Sequence, residues 1–516
     1  MAERGRIVPG HEILADVEER PDVCVVGSGP GGAVVAARLA EKGAKVVLLE
    51  EGGAFTRRDF DMREETAYPR LYQERGARAT ADLAITVLQG RALGGGTVVN
   101  WATSLRVGDR VLSHWARRHG VEGLDGKALL PHFEAVERRL SITPDVLGEI
   151  NANNRALWDG CGKLGWSRGL VPRNVSGCLR LGYCGMGCPV DGKSSMDRTY
   201  LADAVAAGAR LYANVRVERI EADGRRATAV LGAVRDPATD LPTGRRVVVR
   251  PRAVVVAGGA INSPALLLRS GLDPNGRAGK RTFLHPVVAS VALFPTPIEA
   301  WQGAPQSVAS TQFEERDHGR MGFFMETVPI HPMLAGTSLG GFGAPHGDVM
   351  ARLANAQALI ALCLDGFHEG DEGGAVSLRE DGRVRLDYPI TPALWEALRE
   401  RNKALARIQL AAGAERVLSF HDPPVELRGP ADLAALDAAP WEPMRVTLYS
   451  AHPMGGCAMG KDPSRAVVDS TLRLRALDNL WVVDGSVFPT SLGVNPQLTI
   501  AALARWAADG IAAKAG

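Results

Sequence analysis

The stretch VCVVGSGPGGAVVAARLAEKGAKVVLLEEGG, Val23 to Gly53, decides the fold. Its apolar runs and glycine-rich turn predict a strand over Val23–Val26, a helix over Gly31–Lys42 and a second strand over Lys45–Leu49. The first glycine of a G-x-G-x-x-G turn permits a tight bend, the second lets a pyrophosphate approach the backbone, and the third lets helix and strand pack closely. These positions are held by Gly27, Gly29 and Gly32.

An acidic residue follows the second strand. Glu50 comes 23 residues after Gly27, at the place where a carboxylate accepts hydrogen bonds from ribose hydroxyls. The helix that begins at the turn adds free N–H groups and the positive end of its dipole, which attract phosphate. The stretch therefore predicts a dinucleotide-binding α/β domain, and by itself it does not distinguish FAD from NAD.

Composition narrows the class of protein. A chain of 516 residues exceeds the usual single core, so we expect two domains or one domain with large insertions. The 60 basic and 58 acidic residues nearly balance, which gives no reason to expect a nucleic-acid partner. The N-terminus lacks the apolar core of a signal peptide, and no run approaches the roughly 20 apolar residues of a transmembrane segment. The low, odd count of seven cysteines fits reduced thiols and a cytoplasmic protein.

Three further blocks resemble one known family. GRALGGGTVVNWATSLR (Gly90–Arg106) and GAINSPALLLRSGL (Gly259–Leu272) resemble the two signatures of the glucose-methanol-choline (GMC) oxidoreductases, which are FAD enzymes. The second departs from its pattern only at the end, where Asp273 replaces a glycine. HPMGGCAMG (His452–Gly460) and NLWVVDGSVFPTSLGVNPQLTIAALA (Asn479–Ala504) are similar to the family's catalytic and flavin-binding block. The matches follow the family order along the whole chain.

The resemblance implies non-covalently bound FAD. Some relatives tether FAD through a histidine in the first block, whereas this sequence has Asn100 near that place and no histidine between Gly90 and Arg110. The family makes a backbone contact to adenine near Val217, in a segment that predicts paired strands. The glycine turn and the resemblance together predict these cofactor-binding residues: Gly27, Gly29, Gly32, Glu50, Gly95, Gly96, Thr97, Asn100, Val217, Asp484, Gly485, Pro496 and Gln497.

The last block predicts a helix that begins beside the flavin. GVNPQLTIAALARWAADG places Asn495 as the N-cap and Pro496 at the first helical position. In this family the N-terminus of that helix points at the N1 and C2 carbonyl edge of the ring. Reduction places negative charge there, and the helix dipole stabilises it.

The resemblance also assigns catalytic and substrate residues. Alcohol oxidation removes a hydride from carbon and a proton from oxygen, and imidazole titrates near neutral pH. His452 matches the family's catalytic base, and Asn495 matches the residue that binds the substrate oxygen. This pairing resembles cholesterol, choline and long-chain alcohol oxidases more than glucose oxidases. Glu326 corresponds to a carboxylate that assists chemistry in some steroid-oxidising relatives, and Phe324 is one of several apolar residues suited to an alcohol pocket.

The family builds its FAD-binding domain from separated segments. The motif positions predict that residues 1–110, 190–285 and 445–516 form a Rossmann-like FAD-binding domain of the α/β class. Residues 111–189 and 286–444 are then expected to form an α+β substrate domain on a mainly antiparallel sheet. Its predicted strands are VVASVALF, SVASTQF, GFFMETVPI, QALIALCL, AVSL and VRLDY.

Three neighbouring cysteines allow two interpretations. Cys178, Cys184 and Cys188 could belong to an iron–sulfur or zinc site. Their spacings, five and three intervening residues, match no standard ligand signature. We therefore predict a buried loop beside FAD and no metal.

The sequence thus predicts an FAD-dependent enzyme that oxidises an alcohol to an aldehyde or ketone. The substrate class implied by the resemblance is an apolar primary or cyclic secondary alcohol, with O2 or another electron acceptor as partner. One alternative is a GMC dehydrogenase that passes electrons from a polyol or sugar to a quinone or protein. An alternative of another class is a flavin-binding protein without turnover.

Overall fold

The computed structural model describes residues 5–316, 320–368 and 370–515. The outer limits of the predicted segments, residues 1 and 516, lie outside the described residues. Within the described ranges the strands form five sheets, and no helix there combines the length and the apolar character that crossing a bilayer requires.

A six-stranded parallel sheet forms the Rossmann-like core. Strand Val23–Val26 lies between Val46–Leu49 and Ala253–Val256. All residues of these three strands are buried, which explains their unbroken apolar runs. The following helix covers Pro30–Glu41, so the predicted strand, turn, helix and strand are confirmed to within one residue. The strand order is Arg6–Val8, Arg210–Tyr212, Val46–Leu49, Val23–Val26, Ala253–Val256 and Leu480–Val482.

A four-stranded sheet contains the paired strands predicted around Val217. Val215–Asp223 and Arg226–Arg235 pair antiparallel, as alternating apolar and charged residues favour. The order in this sheet is Val215–Asp223, Arg226–Arg235, Pro242–Val249 and Val17–Glu19.

The largest sheet has nine strands and is mainly antiparallel, as predicted for the substrate region. Strand Leu448–Ser450 pairs with Val287–Leu293 in this sheet. It also pairs, in parallel, with Ile85–Val87. The other strands follow the order Glu426–Leu427, Arg416–Ser419, Val287–Leu293, Ala356–Cys363, Phe323–Thr327, Val308–Phe313 and Gly169–Leu170.

Two of the six predicted substrate strands do not belong to this sheet. AVSL and VRLDY form Gly374–Leu378 and Val384–Asp387, which pair with each other. Gly374–Leu378 also pairs with Lys280–Phe283, which pairs with Met454–Gly455. The prediction of a single sheet was wrong for these strands, because an alternating pattern identifies a strand without identifying its partner.

The described residues form twelve α-helices, and strands Ile142–Pro144 and Pro172–Asn174 pair as a two-stranded ribbon. The last helix packs against the one that follows the glycine turn. The helices are Pro30–Glu41, Glu64–Leu71, Asp109–His119, Gly126–Arg139, Ala152–Lys163, Tyr200–Ala206, Gly259–Arg269, Pro332–Ser338, Gly343–Ala351, Pro392–Ala412, Ala435–Ala438 and Gln497–Ala515.

Three neighbouring parallel strands end side by side, and this edge positions the site. The chain leaves them at Gly27, at Ala257 and at Val483. Open α/β sheets bind ligands outside the carboxyl ends of their strands. The fold therefore predicts a ligand-binding site at this edge of the parallel sheet.

Candidate active site

A cavity of about 450 Å³ lies along the glycine turn. Segments that are far apart in the sequence line it, since the parallel sheet brings their ends together. The predicted cofactor residues on its wall are Gly27, Gly29, Glu50, Gly95, Gly96, Val217, Asp484 and Gly485.

The glycines of the turn differ in what surrounds them. Gly27 has φ +97°, which strongly favours glycine. A Cβ on Gly32 would lie 2.0 Å from the carbonyl oxygen of Gly27, so this glycine permits the helix to approach the strand. A Cβ on Gly29 or on Gly96 would meet no atom of the described chain within 4 Å. These two positions present bare backbone to the cavity, which fits a pyrophosphate.

Glu50 is buried at the end of the second strand. Its Oε2 accepts hydrogen bonds from the backbone N–H of Ser28 at 3.0 Å and from the Ser28 hydroxyl at 2.6 Å. Its Oε1 accepts one from the N–H of Gly52 at 2.7 Å. Burial raises the pKa of Glu50 to about 7, although these hydrogen bonds oppose the rise. Among the described residues, Oε1 accepts only the hydrogen bond from Gly52 and keeps a second lone pair, so a ribose hydroxyl can still be bound there.

Asp484 joins the last strand of the parallel sheet to a neighbouring helix. Its Oδ2 accepts hydrogen bonds from the N–H of Gly259, at 2.8 Å, and from the hydroxyl of Ser263. Its Oδ1 accepts one from the N–H of Ser486, also at 2.8 Å. Burial raises the pKa of this carboxyl. Asp484 therefore fixes the cavity wall as well as bordering it.

A second cavity, of about 290 Å³, adjoins the first. Pro30, Gly96, Pro453 and Ile500 line both, so the two spaces meet at these residues. Most of its wall is apolar. The predicted residues that line it are Thr97, Asn100, Glu326, His452, Asn495, Pro496 and Gln497.

A polar corner lies in this apolar cavity. Nε2 of His452 is 3.4 Å from Nδ2 of Asn495, and the same Nδ2 donates to Oε2 of Glu326 at 3.3 Å. Nε2 of Gln306 also donates to that oxygen, at 3.1 Å. Within the described part of the chain, the buried Oδ1 of Asn495 and Oε1 of Glu326 have no hydrogen-bond partner. Buried polar atoms are normally paired, so these two atoms point to a ligand with hydrogen-bonding groups.

The protonation of this corner follows from its burial. Burial lowers the pKa of His452 to about 4, and the residue lines the second cavity. Burial raises the pKa of Glu326 to about 7, opposed by the hydrogen bond from Asn495. At pH 7 the imidazole is therefore neutral, while the carboxyl group titrates.

His285 is a residue of this corner that the sequence did not predict. It is fully buried, and its Nδ1 lies 3.3 Å from Nδ1 of His452. Its Nε2 accepts a hydrogen bond from the N–H of Gly493 at 3.2 Å, and burial holds the pKa of His285 well below its usual range. When both rings are neutral, only one of the facing Nδ1 atoms can carry a proton, and the Gly493 contact favours His285. The signal in the sequence is a lone histidine before a proline in the apolar run FLHPVV, Phe283–Val288.

Two predicted residues have other surroundings than expected. Phe324 packs against His285, with ring centroids 5.9 Å apart, and does not form part of the wall described for the second cavity. The last helix begins at Gln497, one residue later than predicted. The side chain of Asn495 contacts His452 and Glu326 instead of serving as the predicted N-cap.

The first GMC-like block is tied to the last helix. Asn100 donates through Nδ2 to Oε1 of Gln497 at 2.6 Å, and Nε2 of Gln497 donates to Oδ1 of Asn174 at 2.9 Å. Thr97 accepts a hydrogen bond from the N–H of Met196 at 3.0 Å. These contacts position the block between the two cavities.

The cysteine segment packs behind the same block. Cys178, Cys184 and Cys188 are partly exposed free thiols, so the prediction of a buried loop was wrong for these side chains. The described residues contain no group of three ligands arranged for a metal ion. Nζ of buried Lys193 donates to the carbonyl oxygens of Cys184 and Asn100, both at 2.9 Å. The segment is thereby joined to the wall of the second cavity.

Family models agree with this architecture. Two models of the GMC oxidoreductases match residues 68–287 and 371–504, and a model of the NAD(P)-binding Rossmann-like domain matches residues 25–67. The chain belongs to the GMC oxidoreductase family.

Individual relatives extend over nearly the whole chain. An uncharacterized GMC-type oxidoreductase of Mycobacterium tuberculosis is 35% identical over 96% of this chain and 76% of its own. A long-chain-alcohol oxidase of Arabidopsis thaliana is 29% identical over 94% of this chain and 67% of its own. The solved structure of pyridoxine 4-oxidase from Mesorbium loti has a TM-score of 0.70 and 22% identity, covering 95% of this chain and 98% of that one. These similarities establish the family and the fold.

Proposed function

We propose that this protein is an FAD-dependent alcohol oxidoreductase that converts an alcohol to an aldehyde or ketone. This proposal rests on the polar corner of His452, Asn495 and Glu326, which lies in an apolar cavity beside the dinucleotide cavity. Its two unpaired oxygen atoms suit a substrate hydroxyl. Membership of a family of oxidoreductases with alcohol-oxidising members supports the same reaction.

The residues of the first cavity would hold FAD without a covalent bond. Gly29 and Gly96 offer bare backbone to the pyrophosphate, Glu50 offers its carboxylate to the ribose, and Val217 lies on the wall proposed for adenine. FAD, when bound, supplies the hydride acceptor. The N-terminus of helix Gln497–Ala515 lies beside the second cavity, where its dipole favours negative charge.

His452 and Asn495 would bind the hydroxyl group, with His452 as the base that takes its proton. A histidine that is neutral at pH 7 can accept a proton through its free ring nitrogen. For His452 to take the proton of the alcohol, this nitrogen has to be Nε2, with the ring's own proton on Nδ1 towards His285. The contact with His285 can instead keep the proton of His452 on Nε2, and a second candidate for the proton acceptor is then Glu326. If His285 donates its Nδ1 proton to His452, the proton of His452 is on Nε2 and the ring donates to the substrate oxygen.

The substrate class that suits the walls is an apolar alcohol, primary or cyclic secondary. The partners of the reaction are then this alcohol and O2 or another electron acceptor. The alternatives, a dehydrogenase acting on a polyol or sugar and a flavin protein without turnover, differ in what reduces the flavin.

The test is anaerobic bleaching of the flavin's visible absorbance by a panel of alcohols, from sugars to fatty alcohols and sterols. Bleaching by an apolar class supports the proposal. Bleaching by polyols or sugars alone supports the dehydrogenase, and bound FAD that no alcohol reduces supports the protein without turnover.

A further inference from the structure

The floor of the second cavity is one face of the nine-stranded sheet. Antiparallel partners direct their side chains to the same face, and Glu326 pairs with Ile360, which pairs in turn with Ala289. One row further along, Ala358 pairs with Val291. All five residues line the cavity. The carboxyl group of Glu326 therefore stands at one corner of an otherwise apolar floor.

The roof is the helix Pro332–Ser338, which is held at both ends. Its first N–H groups donate to the buried carboxyl group of Glu64 at 2.6 and 2.9 Å, and the hydroxyl of Tyr449 donates to that of Ser338. Ala335 lines the cavity from this side. Because the position of the helix is fixed by these hydrogen bonds, the space between helix and sheet depends on the size of the side chains that line it.

Small side chains leave this room open. Stacked layers of secondary structure lie about 10 Å apart, and interdigitating side chains normally fill the gap. Here Ala289 and Ala358 on the floor and Ala335 on the roof contribute only methyl groups, and we refer to these three as the alanine trough. The unpaired oxygens of Asn495 and Glu326 at its corner indicate where the polar end of a ligand binds.

We propose that the alanine trough binds the unbranched aliphatic tail of the alcohol, and that Ala289 and Ala358 are specificity-determining residues that limit its length. The inference rests on the proposed function, which places the hydroxyl group at the polar corner. From Glu326 across two strands and one row to Val291, the floor extends about 12 Å at the usual strand spacings. An extended alkyl chain advances about 1.25 Å per carbon, so roughly nine methylene groups fill this distance.

The same surfaces disfavour a tail that carries hydroxyl groups. Ile360 and Val291 on the floor have no hydrogen-bonding side-chain atoms, and neither have the alanines of the trough. A hydroxyl buried against them loses its hydrogen bonds to water without replacement. A methylene group gains from the same burial, by about fourfold in affinity for each group removed from water.

The test measures binding rather than turnover. Tertiary 2-methyl-2-alkanols retain the hydroxyl group but have no hydrogen on the carbinol carbon, so no hydride can leave. We expect calorimetric titration of the FAD-containing protein to show affinity rising about fourfold per methylene up to roughly nine, and then levelling off. In Ala358→Leu the plateau should come about three carbons earlier, because leucine adds three carbons to the floor.

Two further variants complete the test. Val291→Ala should move the plateau to longer tails, and it decides the matter if Ala358→Leu does not fold. Ala375→Leu lies on strand Gly374–Leu378, which pairs with Lys280–Phe283 outside the nine-stranded sheet, and should leave the plateau in place. Affinity that is independent of tail length, or a plateau that neither Ala358→Leu nor Val291→Ala moves, would overturn the proposal. A normal length profile without flavin bleaching by any alcohol of the panel would instead overturn the proposed function.

Discussion

Nε2 of His452 lies 3.4 Å from Nδ2 of Asn495, although 43 residues separate them in the sequence. His452 follows a strand that joins the nine-stranded sheet, while Asn495 precedes the last helix, which packs against the helix after the glycine turn. Their proximity brings the nine-stranded sheet and the last helix together at one point. It is also the basis of the predictions about catalysis.

Replacing His452 by alanine should slow flavin reduction by an alcohol about 10²- to 10⁴-fold, the usual contribution of a positioned acid–base group. FAD content should stay unchanged, because His452 lies outside the wall described for the dinucleotide cavity. Stopped-flow absorbance at saturating alcohol measures the rate. Unchanged reduction kinetics with full FAD content would remove His452 from the mechanism.

The pH dependence of kcat/KM should separate the two candidate proton acceptors. A carboxyl group accepts a proton only when ionised, so with a pKa of about 7 for Glu326 the activity would fall as pH decreases through 7. If His452 is the base, its pKa of about 4 keeps it neutral and active down to about pH 4. His452→Gln retains an N–H donor and should keep substantial activity only if Glu326 takes the proton. Glu326→Gln should then be nearly inactive.

His285 is expected to act as a positioning residue for His452. His285→Phe keeps a ring of similar size but removes the nitrogen 3.3 Å from His452. Flavin reduction should slow by roughly 10- to 100-fold, since small misplacements of a reacting group have effects of this size. His285→Asn restores a donor and should recover part of the rate. Equal rates and pH profiles in both variants would indicate a packing role alone.

Two glycines of the turn should respond differently to alanine. At Gly29 a Cβ meets no atom of the described chain within 4 Å, so Gly29→Ala should fold with unchanged or slightly raised stability yet lose FAD. At Gly32 a Cβ would lie 2.0 Å from the carbonyl oxygen of Gly27, so the free energy of unfolding should fall by roughly 1–3 kcal/mol. Thermal unfolding of the cofactor-free variants and their bound-flavin absorbance measure the two effects. Retention of FAD by Gly29→Ala would contradict the phosphate role.

Local patterns predicted local structure well. The strand Val23–Val26 was placed correctly, and the helix after the turn to within one residue. The strands of the substrate region were also recognised, but two of them belong to a different sheet. Strand pairing is decided by contacts between distant segments, which an alternating pattern does not encode.

The residues of the candidate site were likewise predictable from the sequence only in part. The resemblance identified His452, Asn495 and Glu326, and the structure brings their side chains to one corner. It gave no reason to single out His285, whose importance comes from the direction of its ring. Phe324 was an apolar residue among many, and burial alone does not tell which cavity such a residue borders.

The sequence by itself determined the dinucleotide turn and the family, because the requirements of Gly27, Gly29 and Gly32 are local: a positive φ, room for phosphate and close packing. Only the tertiary structure decided the neighbours of His452 and the space above Ala289 and Ala358. Those properties depend on distances between separate segments, such as those of His285 and His452, which are 167 residues apart. Such distances arise only when sheets and helices pack into one core.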